Sequence, residues 1–241
     1  MSLSGRREVL ADPQALAKRV ADWLLELALA KDGAFAICLS GGSTPKRLYQ
    51  LLGEPPYRDA FPWARTHLFF GDERFVPSGD PLSNSRMVRE ALVSRIDVPP
   101  GNFHAIPTDG GSAQTSAAAY EETLKSFYGA DALRPERPLF DVNLLGLGED
   151  GHTASLFPGT AALDERKRWV VGVVGAKAED RVTLTYPTLE SSRRVAFLVE
   201  GDGKRNILKQ LAQDANLPAA RLRPHGELVW FLDRAAAGTL D

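Results

Sequence analysis

The sequence predicts an α/β protein, an open, mostly parallel, doubly wound (Rossmann-like) sheet with helices on both faces. Three observations lead there. Short, continuous apolar runs are spread along the chain, as expected of strands buried on both faces. Between them lie longer stretches whose apolar residues fall at helical spacing. The two kinds alternate, the pattern of strand–helix–strand units. A chain of 241 residues is then expected to form one domain, 1–241.

The elements follow in order. Asp12 and Pro13 mark a helix start, with the carboxylate as N-cap and proline in the first turn. Leu16, Val20, Trp23, Leu24 and Leu27 share one face, which carries the helix to about Lys31, and Asp32-Gly33 ends it. Residues 34–39 are a buried strand; a loop at 40–45 leads into a helix over 46–52. The pattern then predicts a strand at 67–70, a helix over 85–95, a strand at 103–106 and a helix over 113–127, where Tyr120, Leu124 and Phe127 are in phase. Residues 141–147 form another buried strand, followed by a short helix after His152. Four strands close the chain at 169–174, 182–186, 195–200 and 228–232, with helical stretches at 203–212 and 218–222. The Pro/Arg-rich segment 134–138 reads as a loop, and neither an internal repeat nor a low-complexity linker is present.

Composition narrows the function. With 44% hydrophobic and 25% charged residues, the chain can build a core without disulfides or metals. A net charge of −2 without a basic stripe argues against nucleic acid as a partner, while leaving room for a local basic pocket. Cys38, the sole cysteine, lies in an apolar run and reads as a small buried hydrophobe. The segment 1–9 lacks an apolar signal core, and no window approaches the roughly 20 apolar residues that span a bilayer. A cytoplasmic protein with no membrane partner is expected.

In parallel sheets, ligands bind beyond the carboxyl ends of the strands. Three strand-end loops carry chemistry. In Ser40-Gly41-Gly42-Ser43-Thr44-Pro45, two glycines allow close approach of a ligand to the backbone, and the helix that follows presents free N–H groups to an anion. Its alternative is a capped tight turn with Ser43 or Thr44 as N-cap. In Gly71-Asp72-Glu73-Arg74, two carboxylates and a guanidinium follow an apolar strand; a solvated turn is the plainer reading. In Gly146-Leu-Gly148-Glu-Asp150-Gly151-His152, the glycines fit the spacing of a dinucleotide fingerprint. Glu149 and Asp150, however, stand where a pyrophosphate needs bare N–H groups. What remains is a carboxylate two residues from an imidazole, able to orient it and raise its basicity. His67, His104 and His225 lack such a setting and read as structural. The chain has neither a P-loop nor a Gly-x-Ser-x-Gly elbow, which argues against a covalent acyl-enzyme.

Together, Leu39–Pro45, Gly71–Pro77 continuing to Ser83-Asn84, and Gly146–Pro158 resemble the 6-phosphogluconolactonase family. The resemblance runs from near the N-terminus to about Arg205. The glucosamine-6-phosphate deaminases look similar, but their turn continues after its histidine as Ala-Phe-Asn-Glu-Pro, whose Glu serves ring opening. Here the run is Ala154-Ser155-Leu156-Phe157-Pro158, without an acid. The resemblance implies hydrolysis of 6-phospho-D-glucono-1,5-lactone in the oxidative pentose phosphate pathway. It also implies His152 as general base, Asp150 as its orienting neighbour and Asp72 as a supporting carboxylate. Arg74 would face the phosphate or the developing negative charge; Gly41, Gly42, Ser43 and Thr44 would cradle the phosphate, with Arg181 and Lys204 as further ligands. Neither a metal nor an organic cofactor is implied, and a monomer is compatible with the sequence. Two other readings are a sugar-phosphate isomerase or deaminase and a non-catalytic sugar-phosphate sensor; a sensor would be expected to lose the Asp-His pair.

Overall fold

The apolar run 35–39 becomes a strand whose every side chain is buried, and parallel neighbours pair with it on both sides. The computed structural model describes residues 3–213 and 216–238, so Met1 and Ser2, where the stretch without an apolar signal core begins, lie outside them. In chain order the elements are β1 (Arg6–Leu10), α1 (Pro13–Ala30), β2 (Phe35–Leu39), α2 (Ser43–Leu52), α3 (Tyr57–Ala60), β3 (Thr66–Phe70), β4 (Asp72–Arg74) and α4 (Asn84–Ala91). They continue with α5 (Ala113–Tyr128), β5 (Val142–Leu145), β6 (Val170–Val173), β7 (Arg181–Leu184), α6 (Tyr186–Glu190), β8 (Arg194–Val199), α7 (Arg205–Leu211), β9 (Glu227–Asp233) and α8 (Arg234–Ala237). Six strands pair in the order β1-β9-β8-β5-β2-β3, all parallel. The expected doubly wound sheet is present.

Register and packing follow from the sequence. Asp12 caps α1 by accepting from the Ala15 N–H at 2.8 Å, and Leu16, Val20, Trp23 and Leu24 face the sheet. There the Trp23 ring lies 5.3 Å from that of Phe231 on β9. Cys38 is fully buried in β2, and burial pushes its thiol well above the ordinary range, as expected of a packing residue.

The structure departs from the sequence reading at several places. β6 and β7 leave the parallel sheet and form a second, antiparallel one with β4, in the order β4-β7-β6. The strand expected at 103–106 is a single bridge from Phe103 to Leu68. Phe103 is held there by its ring, edge-on to Phe70 at 5.5 Å and under the Arg89 guanidinium at 4.3 Å, with no ladder to extend it. The helix expected over 85–95 ends at Ala91 and is followed by a separate 3-10 turn. After His152 no helix forms. Thr153 bridges to Leu156 in a tight turn, with Ala154 at φ 47°, a conformation that interrupts any helix. β1, β4, α3, α6 and α8 were not expected.

His67 and His104 stack on each other, and their packing has a pH consequence. His67 Nδ1 lies 3.1 Å from His104 Nε2, and Phe69 stacks on His104 at 4.2 Å. Burial, and then the neighbouring His67 charge, lowers His104 to about 4; burial also lowers His67. An unfolded imidazole titrates near about 6.5, so between those values the unfolded chain binds protons that the folded chain refuses. Stability should therefore fall as pH drops from about 6.5 toward 4. His104→Phe keeps the stacking surface, and its urea midpoint should fall less across that window; an equal loss in both proteins would refute this account.

Candidate active site

All four loops that build the site leave the carboxyl ends of β2, β3, β5 and β8. They meet in a cleft of about 280 Å³. The sheet order explains why. From β2 the chain moves to β3 on one side, then returns to β5 on the other side of β2. Loops leaving neighbouring strands in opposite directions open a crevice between them.

The loop after β2 contributes backbone. Gly41 lies against Asn84: a Cβ at 41 would fall 1.9 Å from Asn84 Oδ1, so only glycine fits. Gly42 has φ 107° and is the N-cap of α2, with no side chain capping the helix. Ser43 and Thr44 are therefore the first residues of α2, and neither is the N-cap that the turn reading proposed. The N–H groups of the first turn are left for a ligand. Gly41 and Gly42 line the cleft, while the Ser43 and Thr44 side chains stand outside its lining.

The loop after β3 is anchored by Glu73. This fully buried carboxylate accepts from the N–H groups of Arg74, Asn84 and Ser85 at 2.8, 2.7 and 2.8 Å, and from Ser83 Oγ at 3.2 Å. Burial nonetheless holds its carboxyl above the usual range against those hydrogen bonds. The bonds stitch β4 to the N-terminus of α4 and aim the residues on either side. Asp72 and Arg74 both line the cleft. Asp72 Oδ2 accepts from Ser155 Oγ at 2.6 Å, and Arg74 Nη1 donates to the Leu82 carbonyl at 2.7 Å. The two do not pair with each other.

The loop after β5 carries Asp150 and His152. Gly148 N–H donates to the His152 carbonyl at 2.8 Å and Gly151 N–H to the Gly148 carbonyl at 3.1 Å, closing a tight turn. Inside it, Asp150 Oδ1 accepts from the His152 N–H at 3.1 Å and contacts His152 Nδ1. With Nδ1–H on the carboxylate, Nε2 keeps a free lone pair. Burial alone would raise the Asp150 carboxyl. Hydrogen bonds from His152 and the charges of His152 and Lys177 outweigh that and hold it below the usual range. A Cβ at Gly148 would lie 2.0 Å from His152 Nδ1, so the imidazole occupies the space of the absent side chain. Opposite, Phe157 packs its ring 4.7 Å from that of His152.

The last loop follows β8. Asp233 accepts from the Gly201 N–H at 3.0 Å and from the Ala236 N–H at 2.7 Å, fixing the turn that presents Lys204. Lys204 lines the cleft and has no carboxylate partner among the described residues. Arg181 is placed differently. Opposite Arg74 in the β4–β7 ladder, its guanidinium donates to the Glu179 carbonyl at 2.5 Å and to Glu179 Oε2 at 3.3 Å, outside the cleft lining.

Asn84, Ser40, Gly146, Leu147, Gly148 and Ala154 complete the lining and were not singled out as site residues from sequence. All six stood within the matched stretches, so a signal existed for them there. Asn84 Nδ2 donates to the Asp72 carbonyl at 3.0 Å. A larger groove of about 850 Å³ lies on the far side of Asp150. It does not include His152, which lines the smaller cleft. Among the described residues, no group of three or more His, Cys, Asp or Glu side chains is arranged to hold a metal ion.

With this geometry in place, three comparisons bear on the chain. The sequence model of glucosamine-6-phosphate isomerases/6-phosphogluconolactonase matches residues 11–230. A 6-phosphogluconolactonase of Nostoc sp. is 43% identical over 241 residues, covering 97% of each chain. The 6-phosphogluconolactonase 3, chloroplastic, of Arabidopsis thaliana is 40% identical, covering 93% of this chain and 71% of its own. The solved structure of 6-phosphogluconolactonase from Trypanosoma cruzi superposes with a TM-score of 0.86 at 31% identity, over 100% of this chain and 98% of that one.

Glu73→Gln tests the anchoring of this site. An amide would turn an N–H₂ toward N–H groups that need an acceptor, leaving buried donors unpaired at a cost of about 2–3 kcal/mol. The melting temperature should drop by several degrees; an unchanged melting curve would show that the loop does not depend on this carboxylate.

Proposed function

Because the chain belongs to the glucosamine-6-phosphate isomerase/6-phosphogluconolactonase family, we propose that its cleft opens 6-phospho-D-glucono-1,5-lactone with water activated by His152. The chain is an enzyme of the 6-phosphogluconolactonase type, a hydrolase that acts on the lactone of a sugar phosphate and serves the pentose phosphate pathway. The observation that carries the mechanistic reading is the Asp150–His152 contact, with the imidazole lining a cleft that also holds Lys204 and Arg74.

The steps follow from the groups present. Lys204, with the N–H groups at the start of α2 behind Gly41 and Gly42, receives the phosphate. His152 Nε2 takes a proton from water as its oxygen adds to the lactone carbonyl. Negative charge on the tetrahedral intermediate falls to Arg74 and to nearby backbone N–H groups. Collapse breaks the bond to the ring oxygen, which leaves with the proton from His152, and 6-phosphogluconate results. Asp150 stabilises the imidazolium between the two transfers. Asp72, with Oδ2 held by Ser155, offers its second oxygen to a sugar hydroxyl. Arg181 joins the phosphate by exchanging Glu179 for it. Each partner in this scheme is a small molecule, and we place the reaction in the cytoplasm.

A ring-opening deaminase needs a second titratable group beside the histidine. At the matching positions stand Leu156, fully buried, and Phe157, packed on the imidazole. Neither can pass a proton. Glucosamine 6-phosphate should release no ammonia, and release at a rate comparable to lactone hydrolysis would overturn this reading.

Three substitutions separate chemistry from binding. His152→Ala should lower kcat by about 10²–10⁴-fold with KM within a few-fold, as loss of a general base does. Lys204→Ala should raise KM about 10-fold for the phosphorylated lactone, through loss of one charge-assisted hydrogen bond, and leave the unphosphorylated lactone unaffected. Arg181→Ala should have a smaller effect, since its guanidinium must leave Glu179 to bind. A pH-stat with freshly made lactone, corrected for spontaneous hydrolysis, reads all three. Near-normal turnover by His152→Ala would remove the base assignment.

A further inference from the structure

We propose that Lys177 is a positioning residue for the Asp150–His152 pair, holding the carboxylate against the imidazole. The proposal rests on the assignment of His152 as base.

Lys177 sits in the connection between β6 and β7, two residues past Gly175, which turns the chain at φ 73°. Its Nζ lies 3.6 Å from Asp150 Oδ2 and 4.9 Å over the ring of Phe157. Asp150 Oδ1 is the oxygen that holds His152, and Phe157 is the ring that packs on the imidazole. One ammonium therefore touches both supports of the catalytic histidine from behind. With Oδ2 engaged, the carboxylate is less free to swing its other oxygen off Nδ1.

The pair is worth little as a stabiliser of the fold. Lys177 is 43% and Asp150 40% exposed, and ion pairs so open to water contribute only marginally. Its effect is local. An ammonium on Oδ2 disfavours a further positive charge beside it, so removing that ammonium favours a second proton on the ring. The Lys177 charge is among the influences that hold the Asp150 carboxyl down, consistent with that contact. The other charges around the pair are Glu149 on the same loop, Asp72, Arg74 and Lys204 on the cleft side, and Asp164, Glu165 and Arg168 in the groove behind. In the groove, Arg168 is occupied by Glu165 and Asp164 by Arg221. Among the described residues, Lys177 is the cation within ion-pair distance of Asp150 Oδ2.

Lys177→Met keeps an unbranched stem over Phe157 and removes only the charge. The acid limb of its kcat–pH profile should move up by about half a pH unit. Plateau kcat should fall several-fold with KM within twofold, and Lys177→Arg should restore both. A profile and plateau equal to those of the unmodified enzyme would overturn the proposal; so would a raised KM with an unmoved acid limb, which would make Lys177 a substrate ligand. His152→Asn, assayed alongside, separates the two levels. If it abolishes turnover while Lys177→Met changes nothing, only the role of Lys177 fails. If it turns over normally, the base assignment fails and this proposal with it.

Discussion

The parallel pairing of β2 with β5 is the constraint from which the rest of the molecule follows. Ile37 and Cys38 pair with Val142 and Asn143, so both strands run the same way and release their loops at the same edge. The chain fills the sheet outward from this pair, to β3 on one side and to β8, β9 and β1 on the other. The crevice between diverging loops is thus a product of topology and requires no dedicated cavity in the core. Glycine then lets the loops close on each other. At Gly41 the missing Cβ makes room for Asn84, and at Gly148 it makes room for the imidazole and the carboxylate that orients it. Those contacts could not be made around an alanine, because the atoms in the way belong to Asn84, His152 and Asp150 themselves.

The small antiparallel sheet solves a second problem. A strand-end loop bearing Asp, Glu and Arg would ordinarily be solvated and mobile, yet Asp72 and Arg74 must point into a fixed space. Pairing β4 with β7 sets their directions, and Glu73, facing the other way, is buried to anchor them. Desolvating a carboxylate costs several kcal/mol. Three backbone N–H groups and a serine hydroxyl offset it, two of those N–H groups lying at the N-terminus of α4, where negative charge is favoured. Asp72 is fixed from two directions, by Ser155 from the loop after β5 and by Asn84 from α4. The histidine loop and the carboxylate loop are therefore one assembly.

How much of this was legible in the sequence depends on how each element earns its place. Strands β2, β3, β5, β8 and β9 announce themselves because burial on both faces demands unbroken apolar runs. β1 does not: as an edge strand it keeps Arg6, Arg7 and Glu8, with only partial burial, and reads as a polar terminus. β4 is three charged residues long and exists because β7 is there to pair with it, information that no local window contains. Phe103–Ile106 misled in the other direction, since an apolar stretch can be used for one aromatic contact. The candidate cleft was legible to the extent that its residues are polar groups on strand-end loops, as with His152, Asp72, Arg74 and Lys204, which line it, and Asp150, which contacts the imidazole. Lys177 and Asn84 act through contacts across the fold. For Arg181 the sequence shows the cation but not Glu179 holding it away from the cleft.

The account comes down to one spatial claim, that the lactone carbonyl lies against His152 while the phosphate lies against Lys204 and the start of α2. A crystal structure with 6-phosphogluconate bound tests it most directly, because the product keeps both ends of the substrate. The account predicts the C1 carboxylate within hydrogen-bond reach of His152 Nε2, about 2.6–3.2 Å, and the phosphate on Lys204 Nζ and the α2 N–H groups. A product bound in the groove behind Asp150, or with its C1 end turned away from His152, would contradict it.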